Sequence, residues 1–224
     1  MRDVILNIHG IGDPDRAPRP LEPGEAAVWI SAAFWREAVD RAAAAMAAGR
    51  ARVRFTFDDG NASDIETGAP ALEDAGLTGL FFPLAGRLGA PGSLSAADLA
   101  DLVRRGHRVG NHGHGHVDWR RADLGLELED ARDAIAAAAG APVTEAAIPF
   151  GRYDRAVLKA LRAAGYGACY TSDGGAARQG EWPVPRTSLS AGMDGAALEA
   201  LIAGREPLAR RLRRPLAKLR KRLL

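Results

Sequence analysis

The sequence predicts an α/β fold with parallel strands. Two observations carry that expectation. Short apolar runs of strand length alternate with longer amphipathic segments, and the alternation recurs six or seven times within 224 residues. A chain of this length fits one domain and can bury a sizeable core.

The elements follow in order. Residues 4–9 read as a strand and 10–25, rich in Pro and Gly, as a long loop. Ser31 is placed to cap a helix through Met46, which Gly49 ends. Residues 53–57 read as a strand. Ser63 with Glu66 forms a capping-box pattern for a helix ending near Gly76. Residues 78–82 then read as strand, 95–105 as helix and 108–110 as strand. A helix over 124–139 precedes a strand at 146–149. Asp154 is placed to cap a helix through Ala164. Residues 168–171 and 184–189 read as late strands and 194–203 as a last helix. The alternation alone does not separate a barrel from a doubly wound sheet.

Composition excludes several classes. Apolar and charged content are those of a folded domain rather than a disordered one. The single cysteine, Cys169, excludes an internal disulfide. The first residues do not have the pattern of a secretory signal, and no run of about 20 apolar residues is present to span a membrane. The expectation is a cytoplasmic protein. The net charge of +2 hides an asymmetry. Of the 30 basic residues, nine lie in 205–224 with one of the 28 acidic residues; the rest of the chain keeps 21 basic and 27 acidic, a net of −6. A basic domain that binds nucleic acid is therefore not expected.

The stretch "RFTFDDG" ends an apolar run in two adjacent carboxylates. Like charges side by side repel, and a cation resolves the conflict. The stretch "GHRVGNHGHGHVDW", residues 106–119, holds four of the five histidines. His112 and His116 are four apart, so their rings can converge on one ion. His114 is offset and points away, and His107 reads as structural. Asp59, His112 and His116 together make one carboxylate and two imidazoles. Such a set suits Zn²⁺ or a similar divalent ion, with Co, Ni or Fe as alternatives, and leaves positions open for water and substrate. Each motif follows an expected strand, so both can share the C-terminal rim of a parallel sheet, where ligand sites lie.

The motifs "TFDDG" (56–60), "GNHGHGH" (110–116) and "PFG" (149–151) resemble the first three motifs of the polysaccharide deacetylases, carbohydrate esterase family 4 with the NodB-homology domain. The resemblance covers about residues 4–190. It implies a distorted (β/α) barrel of about seven parallel strands and metal-dependent removal of N-acetyl, sometimes O-acetyl, groups from sugars. It makes Asp58 the catalytic base, Asp59, His112 and His116 the metal triad, and the backbone N–H of Phe150 an oxyanion donor. One carboxylate then binds the ion while its neighbour takes a proton from water.

Three departures stand out. Gly113 occupies a position where the family usually has Ser or Thr. Ala147 stands where the family often has an Arg oriented toward the base; Arg186 or Arg152 are the candidates to replace it. The usual late Leu-x-His motif, source of the general acid, is missing, since no histidine follows His116. A branch resembling poly-N-acetylglucosamine deacetylases has a circularly permuted strand order and carries the acid at the front. His9, at the end of the first expected strand, is assigned that role. In a closed barrel the first and last strands are neighbours, so permutation changes the order and not the site. Among Trp29, Trp35, Trp119 and Trp182, Trp29 in the long loop is the candidate sugar platform.

The expected organisation is a catalytic domain over 1–204 and a basic amphipathic tail over 205–224. In the tail Leu208, Leu212, Leu216, Leu219 and Leu223 recur at helical spacing among basic residues, interrupted at Pro215. That pattern suits an anionic membrane surface. The expected partners are an acetylated amino-sugar glycan or precursor and such a surface at the inner membrane. A glycan-binding pseudoenzyme, a cyclic-amide or ureide hydrolase on the same fold, and a non-haem iron oxygenase are the competing functions.

Overall fold

A computed structural model describes residues 3–205 and Lys221. The leucines and Pro215 of the expected tail lie outside the described residues. No described helix is long and apolar enough to cross a membrane.

Along the chain the elements are β1 (Asp3–Ile8), β2 (Gly10–Ile11), β3 (Trp29–Ile30), α1 (Ala32–Ala47), β4 (Arg52–Asp59), α2 (Ala69–Asp74), β5 (Gly79–Pro83), α3 (Ala96–Arg104), β6 (Arg108–Val109), α4 (Ala131–Ala139), β7 (Glu145–Ala147), α5 (Arg155–Ala163), β8 (Ala168–Thr171), β9 (Ala176–Ala177), β10 (Val184–Pro185), β11 (Thr187–Ser188) and α6 (Gly195–Ile202). The main sheet runs β11-β1-β4-β5-β6, all parallel, and a second runs β10-β8-β7. Two junctions join them into a ring. Asn111, just after β6, bridges in parallel to Ala146 of β7. On the other side β10 and β11 flank Arg186 in one segment, which pairs with β8 through Val184 and with β1 through Thr187. The first strand therefore lies beside the last. The ring has seven positions and is distorted: β6 is short, the last segment breaks at Arg186, and β9 adds an antiparallel pairing to β1.

Strand alternation sorts the core. Val4, Leu6 and Ile8 of β1 and Val53, Phe55 and Phe57 of β4 face the helices, while Ile5, Leu80, Phe82, Ala147 and Tyr170 form a separate cluster within the ring. On α1 the buried positions Trp35, Ala38, Val39, Ala42 and Ala45 keep helical spacing. Trp35 meets Phe55 and Phe57 edge-on at 5.4 and 5.5 Å, and Phe57 stacks on Phe81 at 4.4 Å. Such ring pairs contribute about 0.5–1.5 kcal/mol each beyond their buried area.

Ser31, Ser95, Asp154 and Asp194 cap α1, α3, α5 and α6 by accepting a backbone N–H at the third position. The Ser63–Glu66 capping box does not form. Ser63 is already helical, with φ −58° and ψ −20°, and the chain enters a π-helical turn, Asp64–Gly68, ahead of α2. The Ser63 hydroxyl instead accepts the Ile11 N–H at 3.2 Å. The expected 124–139 helix likewise opens with a π-helical stretch, Gly125–Asp130.

Candidate functional site

Four parallel strands deliver their C-terminal ends to one rim. β1 ends just before His9, β4 ends in Asp58 and Asp59, β6 runs into the loop of His112 and His116, and β7 runs into the Pro149–Gly151 turn. In a regular strand Asp58 and Asp59 would face opposite sides. Asp59 has a φ of 74°, a left-handed conformation that Asp tolerates better than most residues. Both carboxylates are buried at the site.

Ligand atoms of Asp59, His112 and His116 lie within 4.8 Å of one another. Asp59 Oδ1 is 3.5 Å from His112 Nε2 and 3.7 Å from His116 Nε2. The outward nitrogens are already engaged. His112 Nδ1 is 2.8 Å from the Ala147 carbonyl oxygen, and His116 Nδ1 is 2.6 Å from Glu22 Oε2. A carbonyl and a carboxylate only accept, so both Nδ1 atoms carry the hydrogen and both Nε2 lone pairs face Asp59. Asp59 Oδ1 is buried with no hydrogen-bond donor. An orphaned carboxylate oxygen between two imidazole lone pairs fits a divalent cation, and one oxygen with two nitrogens is a donor set that Zn²⁺ accepts. The buried carboxylates also draw positive charge to this point, supplied by a proton on the ring or by a cation that replaces it. Burial disfavours the His112 imidazolium, but Asp58 and Asp59 outweigh it and raise the ring above its ordinary value. Burial also opposes ionised Asp59, and the neighbouring imidazoles, His112 first, hold it below the usual carboxylate range.

Asp58 faces a different set of partners. Arg186, fully buried, grips it with a two-pronged fork, Nη1 to Oδ1 at 2.7 Å and Nη2 to Oδ2 at 2.8 Å. The Asn7 amide donates to Oδ2 at 2.9 Å. Arg186 Nη1 also reaches Asn7 Oδ1 at 2.8 Å and Thr56 Oγ1 at 3.1 Å. Burial pushes the Asp58 carboxyl up, but Arg186, followed by His112, outweighs it and brings it down to about 2. Arg186 thus supplies the charge that Ala147 does not. Arg152 does not: it lies outside, 3.9 Å from Asp118 and over the Phe150 ring.

His9 Nε2 is 3.8 Å from Asp58 Oδ2 and 3.4 Å from Asn7 Nδ2. Burial holds this imidazole below its ordinary value despite Asp58 and Asp59. The Asn61 side-chain amide donates to the His9 carbonyl, and Asn61 Oδ1 accepts from Arg19 at 2.8 Å.

The histidine loop is stiff without a Ser or Thr at 113. Glu127 lies beneath it, accepting the N–H of His114 at 2.8 Å, that of Gly115 at 3.3 Å and the Trp119 indole at 3.4 Å. Asn111 Oδ1 accepts the Gly113 N–H at 2.7 Å. Gly113 has φ 100°, and a Cβ there would sit 2.3 Å from Glu127 Oε2, so the carboxylate fills the space a side chain would take. Sequence reasoning missed Glu22, Asn7 and Glu127. The last carried a signal, an acidic side chain on the same helix face as buried Leu128, Ala131 and Ile135.

Phe150 adopts φ 56° in its turn, and its ring packs on His116 at 4.1 Å while 48% exposed. Trp29 does not offer a stacking face: it is 5% exposed, with its indole against Gly10. The small size of Gly10 draws the ring into the wall between β2 and β3. His107 is structural, as expected: Nδ1 accepts the Gly79 N–H at 3.0 Å and Nε2 donates to Glu73 at 2.7 Å. His114 is exposed and lies outside the cluster.

A family model described as polysaccharide deacetylase matches residues 46–169, more than half of the chain. YxkH of Bacillus subtilis (strain 168), assigned by name to the polysaccharide deacetylases, is 26% identical over 155 residues, 67% of this chain. The chain spans only 56% of the length of that relative. Among solved structures, the Streptococcus pyogenes deacetylase PplD in complex with acetate superposes with a TM-score of 0.75 at 18% identity, covering 92% of this chain and 99% of that one. IcaB from Ammonifex degensii gives 0.69 at 20% identity, covering 92% and 97%. At these identities the structural likeness is one of fold.

Proposed function

This chain belongs to the polysaccharide deacetylase family, and we propose that it hydrolyses acetyl groups, N-acetyl above all, from an amino-sugar glycan or glycan precursor. The observation that carries the reading is the division of labour between adjacent carboxylates. Asp59 shares its free oxygen with two imidazole lone pairs, whereas Asp58 is tied to Arg186 and Asn7.

Asp59, His112 and His116 would hold the divalent ion, with zinc the first candidate. Bound there, such an ion supplies Lewis acidity, making a water more acidic and an acetyl carbonyl more electrophilic.

The chain's own residues handle the proton. Asp58 is the base. Three donors occupy its oxygens, two from Arg186 and one from Asn7, which leaves room for one more among the four lone-pair sites of a carboxylate. Its charge is fixed in place before substrate arrives. His9 is the acid. Burial favours its neutral form, so it must collect a proton before giving one. Asp58 is the source: two donors already fill Oδ2 and one sits on Oδ1, so Oδ1 is the oxygen that takes the proton from water before His9 receives it. The proton then passes from water to Asp58, to His9 Nε2, and on to the leaving nitrogen, leaving both side chains as they began. The Phe150 N–H, on a left-handed turn beside His116, is the proposed donor to the oxyanion. Acid–base groups of this kind contribute about 10²–10⁴-fold each.

The test is acetate release from N-acetylglucosamine oligomers with and without chelator. Wild type should lose activity to chelator and regain it with zinc. Asp58→Asn should fall by about 10²-fold or more, and His9→Ala by about 10²-fold. Activity that ignores chelator and survives Asp58→Asn contradicts the reading; full activity in His9→Ala alone removes only the acid assignment.

A further inference from the structure

We propose that Glu22 is a positioning residue of the metal centre, and that through it the segment between β2 and β3 is coupled to metal binding. The inference rests on the reading that Asp59, His112 and His116 hold a divalent ion. Glu22 stands outside residues 46–169, the span that the family model matches, so nothing in that match assigns it a role.

Three contacts support the inference. Glu22 Oε2 accepts from His116 Nδ1 at 2.6 Å across 94 residues of sequence. That bond selects the tautomer whose Nε2 lone pair faces Asp59, and a full negative charge behind the ring makes that lone pair a better donor to a cation. The other oxygen, Oε1, is paired with Arg87, so the carboxylate is aimed from both sides. The Glu22 N–H donates to Glu25 Oε2 at 2.8 Å, and Glu25 is in turn clasped by Arg19.

The segment is also tied to the acid side of the site. Arg19 Nη2 donates to Asn61 Oδ1 at 2.8 Å, and the Asn61 amide donates to the carbonyl of His9. One stretch of chain therefore holds the ring of a metal ligand at Glu22 and, through Arg19 and Asn61, the backbone of His9. A cation that draws His116 into place favours the bound arrangement of the segment. By reciprocity, the ordered segment favours the cation by the same factor.

The experiment titrates metal-free protein with zinc in competition with a chromophoric chelator, for wild type, Glu22→Ala, Glu22→Gln and His116→Ala. Hydrogen exchange over residues 12–28 is followed with and without zinc. Glu22→Ala should weaken zinc binding about 10–100-fold. Glu22→Gln keeps an acceptor for the Nδ1 hydrogen and should recover part of the loss. Zinc should slow exchange over 12–28 in wild type and not in Glu22→Ala. Urea unfolding of the metal-free forms separates a loss of affinity from a loss of fold. Wild-type affinity in Glu22→Ala, with loss in His116→Ala, overturns the role of Glu22 and leaves the metal site standing. Equal affinity in wild type and His116→Ala overturns both.

Discussion

Replacing Arg186 with Met tests the most heavily committed pair in the barrel. The substitution keeps volume and removes charge. It deletes the fork on Asp58 at 2.7 and 2.8 Å and the bonds to Asn7 and Thr56, leaving Asp58 with only the Asn7 amide. Arg186 is 0% and Asp58 2% exposed, so solvent does not screen the loss. The guanidinium helps bring Asp58 down to about 2 against the pull of burial, which lies about two pH units below an ordinary Asp and corresponds to about 2–3 kcal/mol of folding stability. Breaking a buried pair by removing one partner costs about 3–5 kcal/mol, because the other charge stays behind. Urea unfolding of metal-free protein at neutral pH should therefore show Arg186→Met losing about 3–5 kcal/mol. The sign of the pH dependence should also change. In wild type the folded value is depressed, so the Asp58 contribution is full above the unfolded value near 4 and is lost as pH falls toward 2. Without Arg186, burial raises the carboxyl instead, and stability should improve as pH falls through that raised value. In a double-mutant cycle, Asp58→Asn with Arg186→Met should cost less than the sum of the singles by more than 1.5 kcal/mol, on the order of the coupling seen for buried networks. Additivity within about 0.5 kcal/mol, or an Arg186→Met cost below about 1 kcal/mol, would refute the argument.

Other perturbations read different parts of the structure. Gly113→Ser, which introduces the residue type usual in the family, should weaken zinc binding and destabilise the chain by at least about 1–3 kcal/mol for the backbone conformation alone, measured by zinc competition and urea unfolding. A neutral result would mean that Glu127 does not brace the loop. Asp98→Ala removes the acceptor for the Ser95 N–H and hydroxyl at 2.8 and 2.7 Å and should cost about 1 kcal/mol, whereas Glu66→Ala, at the capping box that does not form, should stay within about 0.5 kcal/mol. Cys169 is fully buried, and burial pushes its thiol well above the ordinary range. Native protein should therefore resist a thiol reagent at pH 8 and react fully only in denaturant; rapid native labelling would contradict this packing.

What the sequence made legible was local or periodic. Strand runs end where Asp58, Asp59 and the histidine loop begin, and the parallel order brings those ends to one rim. The helix caps at Ser31 and Asp154 follow from a Ser or Asp in front of an amphipathic run. The Ser63–Glu66 pattern misled because Ser63 is drawn into a helical turn by its bond to Ile11, a contact between distant segments. The 184–189 strand is split at Arg186 because it changes partner there: the Arg186 N–H still bonds to Thr171 of β8, whereas Thr187 pairs with β1, a tertiary switch that no local pattern carries. Glu22 and Asn7 reach the site across 94 and 51 residues, and neither sits in a motif. Trp29 was mislocated for the same reason: the groove above Gly10 that receives it exists only once β2 and β3 pair.

Zinc stoichiometry in two neighbouring variants, Asp58→Asn and Asp59→Ala, tests the division of labour between the two carboxylates. Asp58→Asn should keep one zinc per chain while acetate release collapses, and Asp59→Ala should lose the zinc. If both variants lose zinc alike, or if Asp59→Ala retains it, the two carboxylates do not have separate tasks and the account fails at its centre.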